Sequence, residues 1–248
     1  MSKSKKKTGY LILEIIFIII FAFSLFKVAK IGYEYYQWKK FYNETESEFV
    51  KDPDGDAADL QVDLTGLQKE NPDIVGWISI NGTPVSYPLL WSESNDTYLR
   101  HTYTHEWSSY GSIFIDAANN KNLQDQHTLI YGHNTKNGSM FGSLKKYKDV
   151  AYLKEHPYID IYLKNAVYRY KIISAYTTEA DSEAYRILYE DPFVYREWYD
   201  SIVESSCVNA EAAAVDPSQK IITLSTCTNR TPTERFVVHG ALAEKIPR

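Results

Sequence analysis

Residues 223–242 read TLSTCTNRTPTERFVVHGAL, two β-rich runs on either side of a short polar loop. Their β-branched and apolar residues predict two neighbouring strands joined by that loop. Cys227 ends the first run, and Arg235 opens the second. From this stretch alone Cys227 is open to three interpretations: a small buried apolar residue, one half of a disulfide, or a nucleophile.

Strand signals continue upstream. A hairpin is predicted over 74–90, where Asn81-Gly82 has the turn chemistry of such hairpins. Six further runs have the composition of strands: 111–116, 127–132, 158–163, 167–176, 220–226 and 235–243. Short helices are predicted near 63–71 and, with Phe193, Val194, Trp198, Ile202 and Val203 on one face, over 191–206. Many short strands with one inserted helix predict a mainly β fold, a closed or nearly closed barrel.

Composition limits the class of partner. The chain has 248 residues, of which 44% are hydrophobic, enough to build a sizeable core. Its net charge of −5 provides no basic field, so we expect no nucleic-acid partner. The sequence contains no glycine-rich loop of the kind that binds nucleotides, and we expect neither a metal nor a cofactor.

The N-terminus predicts a membrane anchor. Four lysines precede an almost wholly apolar run, 10–26, in which Glu14 is the one charged residue. This run is at the short end of the roughly 17–25 residues needed to span a bilayer. A cleaved signal peptide is the alternative, but no small-residue cleavage site follows the run. The lysines predict a single-pass protein of the cell membrane with a cytoplasmic N-terminus and an extracytoplasmic remainder.

Three segments follow from these patterns. Residues 1–30 form a basic tail and signal anchor, and residues 31–60 form an extracytoplasmic helix and a linker rich in Pro, Gly and Asp. Residues 61–248 form the folded domain.

The residues themselves suggest a site of cysteine chemistry. A nucleophilic cysteine needs a general acid/base and a group that stabilises the developing oxyanion. His133 lies just past a predicted strand, before a loop rich in Gly and Asn, and Arg235 is the nearest cation at the head of a strand. Cys207 is interpreted as a buried or incidental thiol, although an extracytoplasmic setting leaves a Cys207–Cys227 disulfide open. His239, inside an apolar strand, is interpreted as structural or cleft-lining.

The motif at 223–227, TLSTC, resembles the TLxTC signature of sortases, the membrane-anchored cysteine transpeptidases of Gram-positive bacteria. LIYGH (129–133) is similar to the segment with the sortase histidine, and Arg235 is similar to the sortase arginine. The inserted helix, the preceding SAYTT, and VGWISINGTPVSYPLL followed by NDTYL resemble the class B branch. The resemblance covers most of residues 64–243.

This resemblance implies a closed eight-stranded sortase-type β-barrel with flanking helices, occupying 61–248. It implies that Cys227 forms a thioacyl enzyme, that His133 is the acid/base, and that Arg235 stabilises the oxyanion. The implied reaction cleaves a C-terminal sorting signal of secreted proteins and transfers the acyl group to an amine of the peptidoglycan precursor. The alternatives are a pilus-polymerising sortase that uses a pilin lysine, a secreted cysteine hydrolase, and a non-catalytic surface protein with a Cys207–Cys227 disulfide.

The resemblance also implies a substrate groove. Its residues are expected to be Asn95, Leu99, Tyr131 and Ser225, with Tyr185 added on a looser alignment. Thr228 stands where some class B members carry an acidic residue, which concerns the sorting motif that is recognised.

Overall fold

The computed structural model describes residues 2–52, 60–189, 191–208 and 219–248. The chain divides into two compact units, residues 1–45 and 46–248.

The first helix, α1, spans Ser2–Phe49. Its most apolar 18-residue window has a mean hydropathy of 2.6, so the helix is long and apolar enough to cross a bilayer. Large apolar side chains along it are exposed, as illustrated by Phe17 at 70% and Phe21 at 69%. A continuous apolar surface of this size is unfavourable in water, and a lipid environment removes that cost.

The second unit is built around a closed barrel of eight strands. A two-stranded ladder, β1 (Val50–Lys51) with β2 (Gln61–Val62), and the helix α2 (Leu64–Glu70) precede the barrel in the chain. The barrel strands are β3 Ile74–Ser79, β4 Ser86–Trp91, β5 Ile113–Ile115, β6 His127–Tyr131, β7 Tyr158–Tyr162, β8 Ala166–Glu179, β9 Ile221–Cys227 and β10 Glu234–Pro247. The predicted closed, mainly β barrel is therefore confirmed.

The barrel has mixed topology. Its strands follow the order β10-β8-β7-β3-β4-β5-β6-β9, and β9 closes the ring by pairing with β10. The β4–β5 and β6–β9 pairs are parallel, whereas the other six pairs are antiparallel. Large side chains are buried in this unit, among them Trp77, Tyr170 and Phe236, each at most 2% exposed. Gly76 permits the close approach of β3 to β7, because a Cβ there would lie 2.7 Å from the Tyr162 carbonyl oxygen.

Two further α-helices in the described part of the chain flank the barrel, α3 (Val150–Glu155) and α4 (Pro192–Glu204), and short 3₁₀ helices span Leu144–Lys148 and Glu183–Tyr185. The inserted helix begins where Asp191 accepts hydrogen bonds from the backbone N–H groups of Phe193 and Val194, so the helix is confirmed. The predicted face is confirmed in part: Trp198 and Ile202 are buried and Val203 packs against the same cluster, whereas Phe193 is 69% exposed and Val194 is only partly buried. The side chains packed on the barrel are Tyr195, Trp198, Tyr199 and Ile202.

A chain of buried side chains crosses three adjoining strands under α4. His127 on β6 and His239 on β10 both hydrogen-bond to the hydroxyl of Thr223 on β9, at 2.6 and 2.7 Å. His239 Nε2 extends the chain to the Tyr176 hydroxyl at 3.2 Å, and the Trp198 ring lies 4.4 Å from His127. Burial lowers the pKa of His127 to about 4 and that of His239 well below its usual range. His239 therefore has a structural position within the barrel wall.

Candidate active site

The mixed topology brings three strand ends to one edge of the barrel. Because β6 and β9 run parallel, their last residues meet, with Tyr131 opposite Ser225 and Cys227 two residues further along. The antiparallel strand β10 begins at this edge, where Arg235 lies opposite Cys227. The chain leaving β6 carries His133.

These three strand ends surround a surface cavity of about 210 Å³. Seven of the eight predicted site residues line it: Asn95, Leu99, Tyr131, His133, Ser225, Cys227 and Arg235. Cys227 is a half-buried free thiol at the end of its strand. A thiol in such a partly open position is accessible to a peptide, unlike a thiol in the core.

His133 is oriented by a backbone carbonyl. Its Nε2 lies 2.6 Å from the carbonyl oxygen of Leu99. Because that oxygen can only accept, Nε2 carries a proton and donates, and the second ring nitrogen, Nδ1, is left to exchange protons. Two glycines support this arrangement. Gly132 leaves room for the Phe141 ring, 2.6 Å from an added Cβ, and Gly111, at φ +54°, packs against the Leu99 carbonyl.

Arg235 is held by the loop that joins β9 to β10. Its Nη1 donates to the carbonyl oxygens of Pro232, at 2.8 Å, and Glu234, at 3.1 Å. The loop is closed at its base, where the Thr228 hydroxyl donates to the Glu234 carboxylate at 2.5 Å and the Thr228 N–H to the Glu234 carbonyl at 3.2 Å. A guanidinium carries five N–H donors, so these contacts leave others for an anionic group in the cavity.

One predicted groove residue, Tyr185, lies behind the cavity wall. Its hydroxyl is 2.6 Å from the Ser225 hydroxyl, so Tyr185 supports a residue that lines the cavity. Burial raises the pKa of Tyr185, and the contact with Ser225 and the charge of Arg235 oppose that increase. The phenol therefore stays neutral near neutral pH.

Further residues of the cavity were missed by sequence reasoning. Phe114 lines it, and the Tyr131 hydroxyl donates to Asp116, which also accepts from Asn95. The run GSIFID contains the signal, because strand alternation puts Phe114 and Asp116 on one face. Thr226 also lines the cavity, and its buried hydroxyl has no hydrogen-bond partner among the described residues.

Both cysteines are free thiols, so the Cys207–Cys227 disulfide is wrong for this structure. Cys207 is exposed, and its thiol donates to the carbonyl oxygen of Ala175 at 2.9 Å. Among the described residues there is no group of three or more His, Cys, Asp or Glu side chains arranged to hold a metal ion.

The fold and the cavity together define a class of protein: closed mixed β-barrels that carry a thiol, an imidazole and a guanidinium around one cleft at the strand ends. Comparison with known proteins narrows this class. The family model described as Sortase domain matches residues 78–243. The chain therefore belongs to the sortase family, a family of transpeptidases, and its relatives are of class B.

The relatives cover nearly the whole chain. Sortase B of Listeria monocytogenes is 34% identical over 238 residues, which is 92% of this chain and 95% of that protein. Among solved structures, sortase B from B. anthracis in complex with AAEK1 is 30% identical, with a TM-score of 0.73 over 87% of this chain and 99% of that one. A Staphylococcus aureus sortase B–substrate complex is 29% identical, with a TM-score of 0.69 over 88% and 97%.

Proposed function

We propose that this protein is a class B sortase that cleaves the C-terminal sorting signal of secreted proteins and transfers the acyl group to an amine of the peptidoglycan precursor. One observation carries the proposal: the thiol of Cys227, the imidazole of His133 and the guanidinium of Arg235 line one cavity. The S. aureus relative has been solved as a complex with its substrate, which supports a substrate of the same kind here.

In the first half of the reaction the thiolate of Cys227 attacks the scissile carbonyl carbon. A C–S bond forms, and the carbonyl oxygen becomes an oxyanion that accepts hydrogen bonds from the guanidinium of Arg235. The C–N bond then breaks, and the His133 imidazolium gives its proton to the departing amine. The acyl group remains on Cys227 as a thioester.

In the second half an incoming amine attacks the thioester carbon. Neutral His133 takes the proton of that amine, the C–S bond breaks, and the thiolate of Cys227 is regenerated. Since Nε2 donates to the Leu99 carbonyl in both protonation states, the proton moves on and off Nδ1. Water in place of the amine gives hydrolysis, so the accepting amine must reach the thioester before water does.

The N-terminal segment fits an anchored enzyme. We infer that residues 1–30 hold the protein in the cell membrane, with the basic tail in the cytoplasm and the barrel of residues 61–248 outside. The apolar, exposed surface of α1 supports the membrane location, and the lysines that precede the apolar run support the orientation. An extracytoplasmic site lies on the side of the membrane where secreted proteins and the peptidoglycan precursor are found.

The test uses the full-length protein in detergent with an internally quenched peptide library, with and without triglycine as the acceptor. Wild-type protein should cleave a subset of peptides, and mass spectrometry should detect the triglycine adduct. Cys227→Ala should abolish turnover, whereas His133→Ala and Arg235→Ala should each lower kcat by about 10²–10³. Cys207→Ala is the matched control and should keep wild-type activity.

The outcomes separate the alternatives. Cleavage by Cys227→Ala at the wild-type rate would exclude the proposed mechanism. Hydrolysis without any adduct, either with saturating triglycine or with a lysine-containing peptide, identifies a cysteine hydrolase. An adduct that forms with a lysine-containing pilin peptide in preference to triglycine identifies a pilus-polymerising enzyme.

A further inference from the structure

A buried carboxylate joins two residues of the cavity wall. Asp116 is 8% exposed and follows β5 directly. Its Oδ2 accepts hydrogen bonds from the Tyr131 hydroxyl, at 2.8 Å, and from Asn95 Nδ2, at 3.0 Å. Both donors line the cavity, whereas Asp116 lies behind them. One oxygen atom therefore fixes two side chains that come from different parts of the chain.

The carboxylate is itself held by the backbone. Asp116 Oδ1 accepts from the N–H of Ala118 at 2.8 Å, which closes a tight turn after the strand. The neighbouring N–H of Ala117 donates to Asn95 Oδ1 at 2.8 Å. The side-chain amide of Asn95 thus accepts a hydrogen bond from the backbone with its oxygen and donates one of its two N–H groups to Asp116. Its orientation is determined at both atoms.

The same contacts determine what the wall offers to a ligand. Burial first, and then the negative charge of Asp116, raise the pKa of Tyr131, so the hydroxyl keeps its proton at neutral pH. That proton is donated to Asp116, which leaves the phenolic oxygen of Tyr131 as a hydrogen-bond acceptor. Asn95 keeps its second N–H as a donor. The wall therefore presents one fixed acceptor and one fixed donor.

We propose that Asp116 is a positioning residue for substrate binding, which acts by holding Asn95 and Tyr131 in this donor–acceptor arrangement. The proposal rests on the proposed function, because it assigns a role within the same cavity. Asp116 is not a catalytic residue, since it reaches the cavity only through its two partners. A purely structural role, as the cap of the turn at Ala118, is the competing explanation.

The substitution Asp116→Asn separates the two explanations. It is nearly isosteric and keeps an oxygen for the Ala118 N–H, but it puts an NH₂ group where two donors converge. Because an NH₂ group cannot accept from the donors of Tyr131 and Asn95, both side chains lose their hydrogen-bond acceptor. KM for the fastest-cleaved library peptide should rise about tenfold, while kcat stays within about threefold, because Cys227, His133 and Arg235 are unchanged.

A double-mutant cycle identifies the route of the effect. Tyr131→Phe removes one of the two donors without touching the carboxylate, and it should raise KM by itself. In the Tyr131→Phe background the effect of Asp116→Asn on KM should fall at least threefold, because one of the two donors that Asp116 holds is already absent. Fully additive effects on KM would overturn the proposal. If Asp116→Asn does not fold, Tyr131→Phe decides alone, and an unchanged KM overturns the proposal.

Asp125→Asn is the matched control. Asp125 Oδ2 also accepts from an amide, Asn119 Nδ2 at 2.8 Å, and from a backbone N–H, that of Asn120 at 2.6 Å. None of these residues lines the cavity, so KM should be unchanged. If the wild type shows no turnover, both the proposed function and this proposal are refuted. An active Asp116→Asn with wild-type KM removes this proposal alone.

Discussion

Acid should destabilise the barrel through the buried chain of His127, Thr223 and His239. The pKa of His127 is lowered from 6.5 to about 4 in the folded protein because the ring is buried. The unfolded chain therefore binds a proton that the folded one does not, and stability falls as the pH drops from 6.5 to about 4. The difference of about 2.5 in pKa corresponds to about 3 kcal/mol for His127. Below pH 4 this contribution is constant.

Urea unfolding of the full-length protein in detergent, followed by tryptophan fluorescence at pH 7, 6, 5 and 4, measures this effect. Trp198 lies against His127 and reports on the same region. Carboxylates also titrate in this range, so the histidine contribution is the difference between the wild type and His127→Gln, which cannot be protonated. The wild type should lose about 3 kcal/mol more than His127→Gln between pH 7 and pH 4.

His105→Asn is the control for loss of any histidine. His105 is exposed and has φ +63°, a conformation that Asn tolerates, and its variant should keep the wild-type pH dependence. Equal losses of stability in the wild type and in His127→Gln would refute the reasoning. They would mean that the buried imidazole is not the group that takes up the proton.

Two further predictions concern the backbone around the site. Gly111→Ala places a Cβ 2.4 Å from the Leu99 carbonyl oxygen, the acceptor of the His133 ring, so kcat/KM for the library peptide should fall about tenfold or more. Thr228→Val removes the hydroxyl that closes the β9–β10 loop, so Arg235 loses its fixed support and kcat/KM should fall about tenfold.

Each of these two predictions has a matched control. Gly138→Ala also has a positive φ, +82°, but its Cβ meets nothing within 4 Å, so its activity should exceed that of Gly111→Ala. Thr233→Val changes an exposed threonine of the same loop as Thr228 and should retain wild-type activity. Equal losses within either pair would contradict the explanation. A further loss from Thr228→Val in the Arg235→Ala background would show that the loop does not act through Arg235.

The strands of the barrel could be predicted because their signals are local. Turn residues such as Asn81-Gly82 and runs of alternating apolar residues define each strand without reference to its neighbours. The buried face of α4 could be predicted only in part. Tyr195 carries a hydroxyl that donates to the carbonyl oxygen of Gln219 at 2.7 Å, so a polar group faces the barrel while apolar Phe193 faces solvent. Residue polarity therefore predicts Trp198 and Ile202 correctly, but it wrongly includes Phe193 and misses Tyr195.

Only those parts of the candidate site that lie at strand ends could be predicted from the residue pattern of the sequence. Cys227 and Arg235 flank a short loop, so their proximity follows from the hairpin. The orientation of His133 depends instead on the carbonyl oxygen of Leu99, and that oxygen is positioned by the left-handed backbone of Gly111. A backbone carbonyl leaves no signature in the sequence, and neither does the contact between Asp116 and Tyr131 across two strands.

The parallel pairing of β6 with β9 is the feature on which the whole site depends. In an antiparallel pair the chain would leave β6 at the edge where β9 begins, and His133 would lie a strand length away from Cys227. The buried chain of His127, Thr223 and His239 lies on β6, β9 and β10, the strands that carry the three proposed catalytic groups. Its hydrogen bonds tie these strands together below the cavity. This buried polar chain thus adds side-chain hydrogen bonds to the backbone ladders that already pair the strands whose ends must meet.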